Sequence, residues 1–124
     1  MWPDHCVQGS KGCEYYKDFM IKESDLEVLK GKVKMVESYS GFGGDGEDTK
    51  LAQTLKDMGV SSVYCCGLAY DYCVGSTAES AAKEGFDTFL VRDATRSVAK
   101  ETETLMEVRM KEAGVKEIAS ETLL

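Results

Sequence analysis

The sequence predicts an α/β fold built around a mainly parallel sheet, and three observations support this prediction. Strand-like and helix-like patterns alternate along the chain from residue 48 onwards. Each of three predicted helices ends at a glycine, Gly59, Gly85 or Gly114, and an apolar run follows each glycine. The chain also lacks internal repeats, linkers and low-complexity segments. Helices that end in this way between strands are typical of the crossovers of a parallel sheet.

The first part of the chain is predicted to contain a long loop and two short strands. Residues 1–24 include a proline and two glycines, and we expect an extended loop there that supplies residues to a functional site. The apolar run at 26–29 predicts a short strand. Residues 33–36 predict a second one, because apolar side chains alternate there with Lys34.

The remaining elements follow from apolar spacing and from the three glycines. Leu51, Ala52, Leu55 and Met58 recur at helical spacing, whereas the run before Gly67 is continuously apolar, as in a buried strand. The pattern predicts helices at 48–58, 74–84 and 98–113 and strands at 62–67, 86–91 and 115–119.

Length, charge and cysteine content narrow the class of protein. The 124 residues suit a single domain, residues 1–124. The 22 acidic against 15 basic residues disfavour nucleic acid and anionic membranes as partners. No apolar run reaches the ~20 residues of a membrane span, and the start lacks the features of a secretion signal. Five cysteines without such a signal indicate reduced thiols. We therefore expect a cytosolic protein.

Cys73 lies where a predicted buried strand passes through a turn of small residues into a helix. Free backbone N–H groups and the positive end of a helix dipole at such a junction favour the thiolate form of a cysteine. This position indicates a nucleophile, and the alternative is a buried structural cysteine. Cys65 and Cys66 lie inside the strand and are expected in the core, while Cys6 and Cys13 lie in the loop without a helix N-terminus beside them.

Several sequence blocks resemble those of a known enzyme family. The run GLAYDYCVGSTAESAA at 67–82 resembles the nucleophile segment of the nicotinamidases and pyrazinamidases, within the isochorismatase-like cysteine hydrolases. Further blocks agree in order, namely WPDHCVQGSKG at 2–12, LKG at 29–31, ESYSGF at 37–42 and FLVRDATRSV at 89–98. The resemblance implies a three-layer αβα, Rossmann-like fold and an amide hydrolase that converts nicotinamide to nicotinate and ammonia in NAD salvage.

The resemblance assigns the reacting groups to the segment around Cys73. It implies that Cys73 attacks the amide carbonyl to give a thioester that water hydrolyses. The backbone amides of Ala69 and Cys73 would form the oxyanion hole, and a cis peptide bond would link Leu68 to Ala69.

Lys30 matches the catalytic lysine of the family. The Lys-Gly pair at 30–31, between the apolar run and ESYSGF, favours Lys30 over its neighbours Lys32 and Lys34. The alternative is a solvated surface charge. By resemblance, its ammonium helps to activate the cysteine and to stabilise negative charge.

The resemblance also implies a metal ligand and a substrate pocket. His5, the only histidine, matches a ligand of a divalent metal, for which zinc, iron and manganese are chemically reasonable. Trp2 and Tyr39 would form aromatic walls for a flat heteroaromatic ring, with Leu68 beside them, and core packing is the alternative for the two aromatic residues. The implied partner is a small molecule such as nicotinamide or pyrazinamide.

Two features of the family have no counterpart in this sequence. Members carry a strand with a catalytic aspartate, and then an aspartate and a histidine that complete the metal site, both upstream of the block WPDHC. We therefore expect a chain truncated at its amino terminus, with an incomplete metal site and with exposed strand edges that pair with another chain or form a homo-oligomer. Two alternatives to the hydrolase remain, a non-catalytic subunit or pseudoenzyme that pairs with a full-length homologue, and another isochorismatase-like enzyme.

Overall fold

The computed structural model describes residues 2–124 and confirms the α/β class. In chain order the main elements are α1 (Leu51–Asp57), β1 (Ser62–Leu68), α2 (Gly75–Lys83), β2 (Asp87–Arg96), α3 (Lys100–Ala113) and β3 (Lys116–Ile118). A π-helical turn, Tyr70–Val74, joins β1 to α2, and 3-10 turns occupy Lys11–Cys13 and Ser120–Leu123. Of the helices in residues 2–124, none combines the length and apolarity that crossing a bilayer demands.

The three strands form one parallel sheet in the order β1, β2, β3. Ser62 pairs with Asp87 and Leu68 with Arg96, and the register shifts between Cys65 and Gly67. Helices α2 and α3 connect the successive strands, since parallel neighbours need a crossover connection. The two helices also pack against each other, which places them together on one face of the sheet.

The core lies between this face and the two helices. Its buried members come from β1, the π-helical turn, α2, β2, α3 and the residue before β3: Cys65, Tyr70, Val74, Ala78, Leu90, Met106, Met110 and Val115. The small residues that the sequence places in α2 let α3 approach closely, and Ala78 and Ala81 are fully buried. At Gly75 there is no room for a side chain, because a Cβ there would overlap the side chain of Met106 and the carbonyl of Tyr70.

The opposite face of the sheet carries exposed apolar side chains. Tyr64 is 49% exposed and stacks on Phe89 with ring centroids 4.8 Å apart, and Lys116 Nζ lies 5.2 Å from the Phe89 ring. Leu68, at the end of β1, is 75% exposed. β1 is an edge strand of the described sheet. The pairing of this edge with another chain stays a prediction.

The predicted strands at 26–29 and 33–36 are wrong. Both segments are irregular and mostly exposed. Within residues 2–124, the only β-bridge outside the sheet joins Gly44 to Glu47. Positive φ angles at Gly31 (+72°) and Met35 (+68°) bend the chain away from an extended path. An apolar run or an alternating pattern predicts a strand only where a partner strand is available. The loop predicted for residues 1–24 is confirmed over residues 2–24, apart from one 3-10 turn, and residue 1 lies outside the described residues.

Asp71 joins the turn after β1 to the start of α3. Its buried carboxylate accepts hydrogen bonds from the amides of Val98 (3.0 Å) and Ala99 (3.1 Å) and from Thr102 Oγ1 (2.5 Å). Ala99, the residue before α3, offers no capping side chain, so Asp71 supplies the acceptor from a distant part of the chain. Burial alone would raise the pKa of Asp71, but these hydrogen bonds outweigh it and hold the pKa below its usual value.

Gly75→Ala is expected to destabilise the fold by about 1–3 kcal/mol, because overpacking against Met106 exceeds the gain in helix propensity. The free energy of unfolding in urea measures this. Gly12→Ala is the control, since a Cβ at Gly12 meets only Ser10 at an ordinary distance of 3.8 Å. Equal stabilities of the two variants would contradict the close approach of α2 and α3.

Asp71→Asn is expected to cost about 1–3 kcal/mol at pH 7, because the Asn amide group cannot accept all three bonds. The carboxylate of the native protein contributes stability above the unfolded-state pKa of about 3.9, and this contribution is lost as the pH falls through the lower folded-state value. The stability difference between native protein and variant should therefore shrink in acid. Urea unfolding at pH 7 and near pH 3 tests this, and Asp18→Asn, at an exposed position of the amino-terminal loop, is the control. A difference that does not depend on pH would contradict this account.

Candidate active site

Cys73 lies on the π-helical turn that follows β1. The peptide bond between Leu68 and Ala69 is cis, as expected, and the amides of Tyr72 and Val74 both donate to the Ala69 carbonyl, at 3.1 and 3.0 Å. The Cys73 side chain is half-buried and lines a groove of about 370 Å³. The turn therefore presents the thiol to a space large enough for a small molecule.

The structure places Lys30 directly beside this thiol. Lys30 Nζ lies 3.2 Å from Cys73 Sγ, although the two residues are 43 positions apart in the sequence. The same ammonium donates to the Ser38 carbonyl at 3.1 Å. Lys32 and Lys34 are exposed, and neither bonds to Cys73. The structure thus brings a half-buried ammonium within hydrogen-bond distance of a half-buried sulfur.

The loop that carries Lys30 is held by a carboxylate and by contacts with α2. Glu47 accepts hydrogen bonds from the amides of Gly31 (2.9 Å) and Lys32 (2.8 Å), the two residues that follow Lys30. The bond from Gly31 is the main reason that the pKa of Glu47 is lowered to about 2. Further along, the Gly41 amide donates to Thr77 Oγ1 at 2.8 Å, and Thr77 Oγ1 in turn donates to the Cys73 carbonyl.

Trp2 and Tyr39 meet in an aromatic cluster. Trp2 Nε1 donates to the Tyr39 hydroxyl at 3.2 Å. The Tyr72 ring packs against both, edge-on to Trp2 with ring centroids 4.9 Å apart and tilted against Tyr39 with centroids 5.5 Å apart. Trp2 is 39% exposed, so it is not part of the buried core. Leu68 lines the groove beside Cys73 instead.

Three residues of this site were missed by the sequence analysis. Asp71 and Tyr72 are the two residues that precede Cys73 in the run YDYC, where an acid between two aromatic residues was a usable signal. Glu47 had no local signal, because its partners lie 15 and 16 residues away.

The expectation for the cysteines of β1 is half right. Cys65 is buried, and burial raises the pKa of its thiol to about 11. Cys66 is exposed, contrary to the expectation of a core position. Successive side chains of a strand point to opposite faces, so only one of two adjacent cysteines can face the helices.

His5 does not form part of a metal site with its neighbours. Its Nδ1 lies 2.6 Å from the Pro3 carbonyl oxygen, and the side chain is exposed. Within residues 2–124 there is no group of three or more His, Cys, Asp or Glu side chains that could hold a metal ion. A zinc, iron or manganese centre needs more ligands than His5 supplies, so the residues present do not fit such a centre by themselves.

Comparison with known proteins identifies the family of this chain. Residues 1–122 match the model of the isochorismatase domain. A nicotinamidase of Acinetobacter baylyi is 35% identical over 79% of this chain and 47% of its own length. A solved nicotinamidase/pyrazinamidase of Acinetobacter baumanii superposes with a TM-score of 0.94 at 35% identity, covering 100% of this chain and 61% of that one.

A second solved structure, the pyrazinamidase of Pyrococcus horikoshii in complex with zinc, superposes with a TM-score of 0.85 at 39% identity, covering 96% of this chain and 63% of that one. The chain spans about half the length of the curated relatives that it matches. The matched segment includes the cysteine, the lysine and both tyrosines of the aromatic cluster. This chain belongs to the isochorismatase family.

Proposed function

We propose that the chain acts in a nicotinamidase-type amide hydrolase, which converts nicotinamide and water to nicotinate and ammonia in NAD salvage. The observation that carries this proposal is the distance of 3.2 Å between Lys30 Nζ and Cys73 Sγ. Relatives that are named nicotinamidases, at about one third identity, support the same reaction class.

In the proposed reaction, the Cys73 sulfur forms a bond to the amide carbonyl carbon while the Lys30 ammonium stabilises its negative charge. The backbone amides of Ala69 and Cys73 would donate to the resulting oxyanion. The carbon–nitrogen bond then breaks, the thiol proton leaves with the nitrogen as ammonia, and a thioester remains. Water adds its oxygen to the acyl carbon and returns a proton to sulfur, which gives the free acid and the thiol.

We assign substrate recognition to the aromatic cluster of Trp2, Tyr39 and Tyr72, and to Leu68 in the groove at Cys73. Flat rings of this kind suit a small heteroaromatic substrate such as nicotinamide or pyrazinamide. The presence of Trp2 and Tyr39 in one cluster favours this substrate class over isochorismate or a carbamoyl compound.

No step of this mechanism uses a metal ion, because His5 alone does not make a site. Nor does any carboxylate within residues 2–124 bond to Lys30 or Cys73. A base that removes the thiol proton therefore has to be water or a group outside these contacts.

The exposed sheet face favours a second candidate function, a subunit that pairs with a full-length homologue. The edge strand β1 and the exposed side chains of Tyr64 and Leu68 are the observation behind it. Size-exclusion chromatography together with an ammonia assay separates the two functions. A stable monomer that releases ammonia supports the hydrolase. An inactive chain that associates with a full-length homologue supports the subunit.

Cys73→Ala is expected to lower ammonia release from nicotinamide by roughly 10³-fold or more, since it removes the atom that forms the thioester. A coupled ammonia assay measures the rate. Cys13→Ala, at an exposed thiol in the loop, should retain full activity. Undiminished activity of the Cys73 variant, or no ammonia release from the native chain, would overturn the proposal.

Lys30→Met is expected to lower kcat by roughly 10²–10⁴-fold with a smaller change in KM, because the charge matters most when the sulfur is reacting. Lys32→Met removes the same charge from an exposed residue two positions away and should leave kcat within about twofold. Steady-state kinetics on both variants provide the test. Equal losses in the two variants would mean that net charge, and not the contact with Cys73, is responsible.

A further inference from the structure

Lys30 lies in a long stretch without helix or strand, residues 14–50. A lysine side chain has many rotamers, and an irregular loop does not restrict its backbone as a sheet or helix does. Yet Lys30 Nζ lies within hydrogen-bond distance of both Cys73 Sγ and the Ser38 carbonyl. Contacts other than secondary structure must therefore hold the Lys30 backbone.

Glu47 makes those contacts. Its Oε1 accepts from the amide of Gly31 at 2.9 Å, and its Oε2 accepts from the amide of Lys32 at 2.8 Å. The carboxylate thus binds the two peptide groups that directly follow Lys30. Both oxygens act as acceptors, which a carboxylate can do and a Gln side chain cannot, since one of its two terminal atoms is a donor.

Glu47 is itself fixed to its own loop. Its amide donates to the Gly44 carbonyl at 3.1 Å, and its carbonyl accepts from the Gly44 amide at 2.9 Å. Gly43, at φ +84°, leaves no space for a Cβ against the Glu47 carbonyl. The lowered pKa of Glu47 agrees with a carboxylate that stays charged at neutral pH. The backbone of Glu47, whose carboxylate binds residues 31 and 32 of the loop that carries Lys30 (the lysine loop), is therefore itself held in place.

We propose that Glu47 is a positioning residue, which holds Lys30 Nζ against Cys73 Sγ by binding the amides of Gly31 and Lys32. The inference rests on the proposed role of Lys30. Glu47 bonds to neither Cys73 nor the aromatic cluster. It acts through the backbone next to Lys30 and through the side chain of Ser38, the residue whose carbonyl accepts from Lys30 Nζ. Its loss should reduce the reactivity of the Cys73 thiol by releasing the ammonium from its position.

The test measures the rate at which iodoacetamide alkylates Cys73 at pH 7, and tandem mass spectrometry identifies the modified cysteine. Glu47→Gln should slow alkylation of Cys73 roughly tenfold, because the Lys30 ammonium is then no longer held at 3.2 Å from the reacting sulfur, where its charge stabilises the attack. In a Lys30→Met background, Glu47→Gln should have no further effect. This double-mutant cycle separates positioning from a general loss of structure.

Asp48→Asn is the matched control. Asp48 is the next residue, its carboxylate also accepts a backbone amide, that of Lys50 at 2.8 Å, and it makes no bond to the lysine loop. This variant should alkylate at the native rate. If Glu47→Gln does not fold by circular dichroism, Glu47→Asp carries the same test, since its shorter side chain cannot reach both amides.

An unchanged alkylation rate in Glu47→Gln, or an equal slowing with and without Lys30, would overturn the positioning role. Because alkylation needs no turnover, the outcome is independent of ammonia release. Failure of the hydrolase proposal and failure of this inference are therefore distinguishable.

Discussion

The contact between Lys30 Nζ and Cys73 Sγ is the interaction on which the candidate site depends. At 3.2 Å, and with both side chains half-buried, the ammonium and the sulfur are less screened by water than a surface pair would be. The two partners reach this contact by different means. The backbone of Cys73 follows the junction between β1 and α2, which packs into the core through Tyr70 and Val74. Lys30 depends on a loop that contributes nothing to the core cluster.

Because of this difference, the position of Lys30 is less firmly held than that of Cys73. The cysteine side is stabilised by burial of apolar side chains and by the three hydrogen bonds of the buried Asp71 carboxylate. The lysine side is held by hydrogen bonds at Glu47, Ser38 and Gly41, whose net contributions are small because the unfolded chain makes equivalent bonds to water. Ordering each loop residue costs a similar amount or more. Changes in this loop should therefore affect reactivity before they affect global stability.

Much of the fold and part of the site could be predicted from the sequence, and the division has a physical reason. The elements from β1 onwards were predicted because their patterns reflect burial and their helices end at glycines such as Gly85. The strands expected at 26–29 and 33–36 failed because an apolar run does not reveal whether a partner strand exists. Cys73 and Lys30 could be named from sequence blocks, whereas the bonds of Asp71 and Glu47 join residues too distant for any local pattern to reveal.

The groove at Cys73 and the exposed face of the sheet are parts of one surface. Tyr64, Cys66 and Leu68 line the groove together with Cys73, and all three are exposed. They lie on β1, the edge strand, so any polypeptide that covered this face would also enclose the thiol. Enclosure would remove water and strengthen the Lys30 contact, because electrostatic interactions grow as the local dielectric falls. Covering the apolar face and enhancing the chemistry of Cys73 would therefore be a single event, with the same residues responsible for both.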